Sequence, residues 1–200
     1  MIHIVLASNN SHKAKEIQHI SDMILPGKIH IIIPIELLGY KVDVEETGTS
    51  IEENAFLKAN SLFKLLKKPC FADDTGLEID ALNGEPGLNA AIFAGEHGND
   101  KKNREKVLRL LKDIPDTNRT ARFKTILCLV NPSGKYFFEG VCKGKISLEE
   151  RGNSGFGYDS IFIPDNYSMT FAELPELIKN TISHRAKALE KLIKYLTQII

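Results

Sequence analysis

The sequence predicts an α/β protein, a mixed β-sheet flanked by helices. Three observations predict it. Apolar runs rich in Ile and Val alternate with helical repeats in the first part of the chain, the pattern of strands joined by helices. Two later strand-like runs are joined by Asn131-Pro132-Ser133-Gly134, a turn signal that makes them an antiparallel pair. The last segment carries one apolar stripe at helical spacing: Ala186, Leu189, Ile193, Leu196 and Ile200.

Residues 2–7 form a strand by their unbroken apolar run, and the polar loop Ser8-Asn9-Asn10-Ser11-His12-Lys13 follows. Ala14, Ile17, Ile20 and Ile24 then repeat at helical spacing, and residues 29–33 form a strand stopped by Pro34. Ser50 is an N-cap with Glu53 three residues on as its capping-box partner, and the helix behind it sets Ile51, Ala55, Leu62 and Leu66 on one side. Residues 69–72 and 77–80 read as two short strands around an acidic turn, Asp73-Asp74-Thr75-Gly76. Residues 83–87 are a loop by their turn residues. A charged helix covers 100–113 and ends before Pro115. The later strand pair runs over 120–130 and 135–147, and a Gly-rich loop at 152–157 leads to a strand near 161–163. There is no repeat, low-complexity tract or linker, so one domain spanning 1–200 is expected.

Composition narrows the function. Lys plus Arg and Asp plus Glu both number 26, so nothing global draws the chain to nucleic acid or to an acidic membrane surface. Any polyanion it binds must be small and met by a local cluster. Cys70, Cys128 and Cys142 share no metal-ligand spacing and lie in apolar stretches, which reads as buried reduced thiols in a cytoplasmic protein. The apolar run from Met1 to Ala7 is too short for a signal peptide and lacks a basic leader, and no stretch reaches membrane-spanning length.

Four places can carry chemistry. Ser8 to Lys13 join a strand to a helix, where unpaired N–H groups and the positive dipole end make an anion site; Lys13 adds a point charge. The same residues also read as an ordinary capped loop. Glu46, in Glu45-Glu46-Thr47-Gly48, and Asp74 are carboxylates that can share a Mg²⁺, or remain two acids in turns. Gly155-Phe156-Gly157-Tyr158-Asp159 offers Phe156 as a stacking face for a base and Asp159 as an acceptor, or a loop with Phe156 tucked into the core. Lys179, His184 and Arg185 gather donors near the start of the last helix, more than capping needs, or Ser183 caps a helix whose first turn is solvated. No Ser-His-Asp or Cys-His arrangement is present.

Taken in order, these segments resemble the inosine triphosphate pyrophosphatase family, also called Ham1-like. The matching runs are Leu6-Ala7-Ser8-Asn9-Asn10 with Lys13; Glu45-Glu46-Thr47-Gly48 followed by Glu53-Asn54-Ala55 and Lys58-Ala59; Ala72-Asp73-Asp74-Thr75-Gly76-Leu77; Gly155-Phe156-Gly157-Tyr158-Asp159; and Lys179-Asn180 with Ile182-Ser183-His184-Arg185. Each is short, but their joint occurrence in this spacing is specific. The resemblance implies an elongated two-lobed fold with an active-site cleft between the lobes. It implies a homodimeric, Mg²⁺-dependent enzyme that cleaves dITP, ITP or XTP to monophosphate and pyrophosphate and so removes deaminated purines from the nucleotide pool. By position, Ser8, Asn9, Asn10, Ser11, His12 and Lys13 hold the triphosphate, and Asp74 activates water and sits near the metal. Glu46 binds the metal, with Asp73 as a helper, and Thr75 touches substrate. Phe156, Gly157, Tyr158 and Asp159 cradle the base, while Lys179, His184 and Arg185 complete the contacts. Departures fall at Asn9 and His12, where relatives often carry Gly, at Thr75 in place of Ser, at Ser160 in place of Pro, and at Asn89-Ala90-Ala91-Ile92, where bacterial relatives carry Tyr-Ser-Ala-Arg. Two other readings are a house-cleaning pyrophosphatase for modified pyrimidine or ordinary triphosphates, and a nucleotide-binding or RNA-binding module without catalysis.

Overall fold

The computed structural model describes residues 1–198, so the stripe position Ile200 lies outside the described residues. The elements run β1 (Ile2–Leu6), α1 (Ser11–Ile24), β2 (Ile29–Ile32), α2 (Pro34–Leu38), α3 (Ile51–Leu66), β3 (Cys70–Ile79), β4 (Pro86–Gly87), α4 (Asp100–Leu110), β5 (Thr120–Asn131), β6 (Gly134–Ile146), β7 (Phe162–Pro164), α5 (Glu176–Ile182) and α6 (His184–Gln198). The strands form one mixed sheet in the order β2-β1-β3-β5-β6-β7, with β4 paired to β3. The strand β1 runs parallel to β2 and to β3, while β3–β4 and β6–β7 are antiparallel. Parallel neighbours need a crossover, and α1 and α3 lie in the two crossovers here.

The described residues form two compact units. One comprises Met1–Asp74, Thr125–Gly140 and the chain from Ser183 onward. Its core sets Ile4, Leu6, Ile29, Ile31, Phe71, Leu127 and Leu129 of the strands against Ile17 and Ile20 of α1 and Ala186, Leu189, Leu192, Ile193 and Leu196 of α6. The apolar stripe read from the last helix is therefore its buried face. Gly140 of β6 permits this packing, because a Cβ there would collide with the His184 carbonyl in the first turn of α6.

The second unit comprises Thr75–Lys124 and Val141–Ile182. Leu77 and Ile79 of β3, Val107 of α4 and a trio of rings, Phe123, Phe162 and Phe171, form its core. Arg119 is buried there and stays satisfied by donating to the carbonyls of Leu111, Ile114 and Ser147. No described helix is long and apolar enough to cross a membrane.

Two local readings change. The chain does not turn at Asp73–Gly76: β3 is one strand from Cys70 to Ile79. Asp73 pairs with Lys13 and Arg185 while Asp74 pairs with Lys58, and neighbours on a strand point to opposite faces, so no turn is needed to separate them. The residue Pro34 not only ends β2 but opens α2, since its fixed φ suits a first helical turn and its missing N–H costs nothing there. The Ser50 cap holds, its hydroxyl accepting from the Glu53 amide, while the Glu53 carboxylate reaches back to the Thr49 amide and hydroxyl.

Candidate active site

The first unit carries the loop after β1. The Asn10 side chain caps α1 by accepting from the Lys13 amide, and the Asn10 amide donates to the Ser8 hydroxyl. Asn9 turns its carboxamide to the Val42 carbonyl and the Asp43 carboxylate, tying the loop to the segment before α3. Ser11 and His12 stay exposed on the first turn of α1. Lys13 reaches across to β3, its ammonium 2.6 Å from Asp73 Oδ1 and 3.1 Å from the Asp73 carbonyl.

Asp73 and Asp74 are consecutive on one strand, and their environments differ in sign. Asp73 is fully buried between Lys13 and Arg185, whose Nε lies 2.8 Å from Asp73 Oδ2. Burial opposes its charge, yet the Arg185 guanidinium and the Lys13 ammonium outweigh it and hold the carboxyl far below the usual carboxylate range. Arg185 is itself buried and gives Nη1 to Glu16 of α1 at 2.7 Å. Asp74 faces a different set: Lys58 of α3 lies 2.5 Å from its Oδ1 and 3.2 Å from Glu46 Oε2. Burial pushes Asp74 up to about 6 against the pull of Lys58 and Lys13, with the Glu46 charge adding to the rise. The Lys58 ammonium marks a point on which two carboxylates converge. Among the described residues no third His, Cys, Asp or Glu joins them. Hard carboxylate oxygens suit Mg²⁺, which keeps most of its shell for water and substrate phosphate.

In the second unit, Asp159 and Lys179 form a buried ion pair at 2.7 Å. The Phe156 amide donates to the same Asp159 oxygen at 2.9 Å, and the Lys179 ammonium lies 5.3 Å from the centre of the Phe156 ring. Gly155 is needed beside them, with a φ of +78° and a Cβ direction that would run into the Asp159 carboxylate. Phe156 and Gly157 are half-buried, whereas Tyr158 points into the core and donates its hydroxyl to the Ala90 carbonyl at 2.7 Å.

The structure thus gathers Lys13, Asp73 and Arg185 in one network, Glu46 and Asp74 in a second, and Phe156, Asp159 and Lys179 in a third. Thr75 follows Asp74 on β3 and belongs to the second unit, and His184 is buried at the start of α6, which the Ser183 hydroxyl caps. Reading the sequence placed Lys58 in a matching run but gave it no role, and it missed Glu16. Both are charged residues on the half-buried or buried side of an amphipathic helix, and that placement was the available signal.

A model of the Ham1 family matches residues 4–195. A dITP/XTP pyrophosphatase of Porphyromonas gingivalis is 44% identical over 193 residues, covering 96% of each chain, and one of Flavobacterium johnsoniae is 47% identical over 194 residues, covering 97% of each. Among solved structures, the Staphylococcus aureus Ham1 protein superposes with a TM-score of 0.85 at 40% identity, covering 100% of both chains. A HAM1 protein from Coxiella burnetii gives the same TM-score and identity over 99% of this chain and 100% of its own.

Proposed function

The chain belongs to the Ham1 family, and on that premise we propose that it hydrolyses dITP, ITP and XTP to the monophosphate and pyrophosphate, with Mg²⁺ as its metal. The observation that carries the reading is the convergence of Glu46 and Asp74 on one cation, with Asp74 raised to about 6. A carboxylate poised near neutral pH is suited to accept a proton from an attacking water. Glu46 and Asp74 would hold Mg²⁺, which supplies charge neutralisation to the phosphates. Lys58 orients Asp74 through its hydrogen bond.

The triphosphate is assigned to the loop from Ser8 to Lys13. Two of the three Lys13 ammonium hydrogens go to Asp73, which leaves a third for a phosphate oxygen. Arg185, engaged by Asp73 and Glu16, is read as the group that holds Asp73 in place. Phe156 is assigned to stacking on the base. Hypoxanthine and xanthine present O6 where adenine carries an amino group, so a donor such as His184 favours the deaminated bases, being left unpaired against adenine. The family resemblance also carries the proposal of a homodimer, which sedimentation at several concentrations tests. The three free, buried cysteines support the cytoplasm as its compartment.

The test is incubation of the purified protein with Mg²⁺ and, separately, ITP, XTP, GTP, ATP and dTTP, with the products identified. Monophosphate and pyrophosphate formed chiefly from ITP and XTP are expected. Release of orthophosphate and diphosphate refutes the bond assignment, and turnover confined to dTTP moves the substrate to pyrimidines. Phe156→Ala is expected to raise KM for ITP by a stacking loss of about 1–3 kcal/mol with little change in kcat. An unchanged KM assigns the ring to packing instead.

A further inference from the structure

We propose that Asp100 and Arg104, one turn apart on α4, are positioning residues that clamp Gly157 and so hold Phe156 as a fixed stacking face. The proposal rests on the base-stacking role given to Phe156 above. The loop around Phe156 is held by few backbone bonds: Gly152, Gly155 and Gly157 all have positive φ, residues 152–155 are exposed, and the Ser154 amide reaches the Ala172 carbonyl at 3.3 Å. A further hold on its second half comes from α4. The Gly157 amide donates to Asp100 Oδ2 at 2.8 Å, and Arg104 Nη1 donates to the Gly157 carbonyl at 2.8 Å. Both backbone polar groups of one residue are thus held by side chains of opposite charge at i and i+4 on one helix. Hydrogen bonds to ionised partners are about twice as strong as neutral ones.

The clamp is braced at its far end. Arg104 Nε donates to Glu150 Oε2 at 2.8 Å, and the Ser160 hydroxyl donates to the same oxygen at 3.1 Å. The chain is therefore pinned at Gly157 and Ser160, and internally by the Phe156 amide on Asp159. An ordered platform binds a base without first freezing a mobile loop, so the clamp acts on affinity rather than on the bond-breaking step. Ser160 stands where Pro was expected, and its hydroxyl is the group that joins Glu150 to this arrangement.

The experiment is steady-state kinetics with ITP on Asp100→Ala and Arg104→Met, alone and combined with Phe156→Ala. Tripolyphosphate serves as a competing ligand that has no base. In the native Phe156 background each clamp variant is expected to raise KM about tenfold, the size of one lost charge-assisted hydrogen bond, with kcat unchanged. The tripolyphosphate inhibition constant should not move. In the Phe156→Ala background the same substitutions should add nothing further, and Arg104→Lys should restore part of the affinity by returning a donor to the Gly157 carbonyl. Unchanged KM overturns the proposal, and so do increments that simply add to that of Phe156→Ala or a parallel rise in the tripolyphosphate constant. If Asp100→Ala fails to fold, Asp100→Asn carries the test at smaller amplitude. Native protein that turns over ITP normally while the variants match it refutes the clamp alone; native protein without ITP turnover refutes the function and the clamp with it.

Discussion

Asp74→Asn loses turnover by about 10²- to 10⁴-fold, the range set by removing a general base, while nucleotide binding and the folded state persist. The side chain keeps its shape and a hydrogen-bonding oxygen for Lys58, so the pocket is not emptied. What goes is the ability to take a proton. The same group fixes the acid side of the pH profile. A base must be ionised to act, so kcat/KM falls as pH drops through about 6, the value to which burial lifts Asp74. Proton and Mg²⁺ compete for this carboxylate, so raising Mg²⁺ should carry that limb to lower pH. Turnover retained in Asp74→Asn, or an acid limb insensitive both to Mg²⁺ and to this substitution, assigns the base elsewhere. Burial disfavours the charged form of Asp74, but its neutral isostere also takes one carboxylate from Lys58, whose own pKa Asp74 and Glu46 raise. The two effects oppose, so Asp74→Asn should melt close to the native temperature near neutral pH. The sign of the burial effect follows from the raised value: stability from this group is full below the unfolded carboxylate range and is lost as pH rises through about 6.

How much of this was legible in the chain depends on the length scale of the cause. Periodicity and caps act within a few residues, and they located β1, α1, the Ser50 cap and the buried face of α6. The acidic motif was visible too, but not its form. Two adjacent acids before a Gly carry the local chemistry of a turn, and only partners far along the chain keep β3 extended there. Lys13 and Arg185 lie 60 and 112 residues from Asp73, and Lys58 lies 16 from Asp74. Such pairings are tertiary, and a propensity reading cannot see them. For the same reason Asp100 and Arg104 carried no signal beyond being charged residues on a helix, and Glu16 none beyond its place on the buried side of α1. Tyr158 shows the converse: an aromatic in a Gly-rich loop invites a ligand role, yet its ring is buried and its hydroxyl is committed to Ala90.

Asp73→Ala should be strongly destabilising, although Asp73 is the neighbour of a residue whose neutralisation is expected to cost little. The difference is the charge balance around each. Asp73 is the anion between two cations, Lys13 and Arg185, and its own side chain has no exposure. Removing it leaves Arg185 with Glu16 as its remaining carboxylate contact and Lys13 with the backbone carbonyl of residue 73. Breaking a buried pair by deleting one partner costs about 3–5 kcal/mol, because the surviving charge stays desolvated. For a chain of this size that lowers Tm by about 6–20 °C. Asp73→Asn should fall between, since it keeps the volume and one acceptor but not the charge. Thermal melts of Asp73→Ala, Asp73→Asn and Asp74→Asn at neutral pH separate the two roles. Melting in the order Asp74→Asn, Asp73→Asn, Asp73→Ala, from highest to lowest, means one strand carries a structural anion and a reactive one side by side. Equal melting of the Asp73 variants with the native chain means the Lys13–Asp73–Arg185–Glu16 network contributes no net stability, and the role of Asp73 must then be sought in substrate binding.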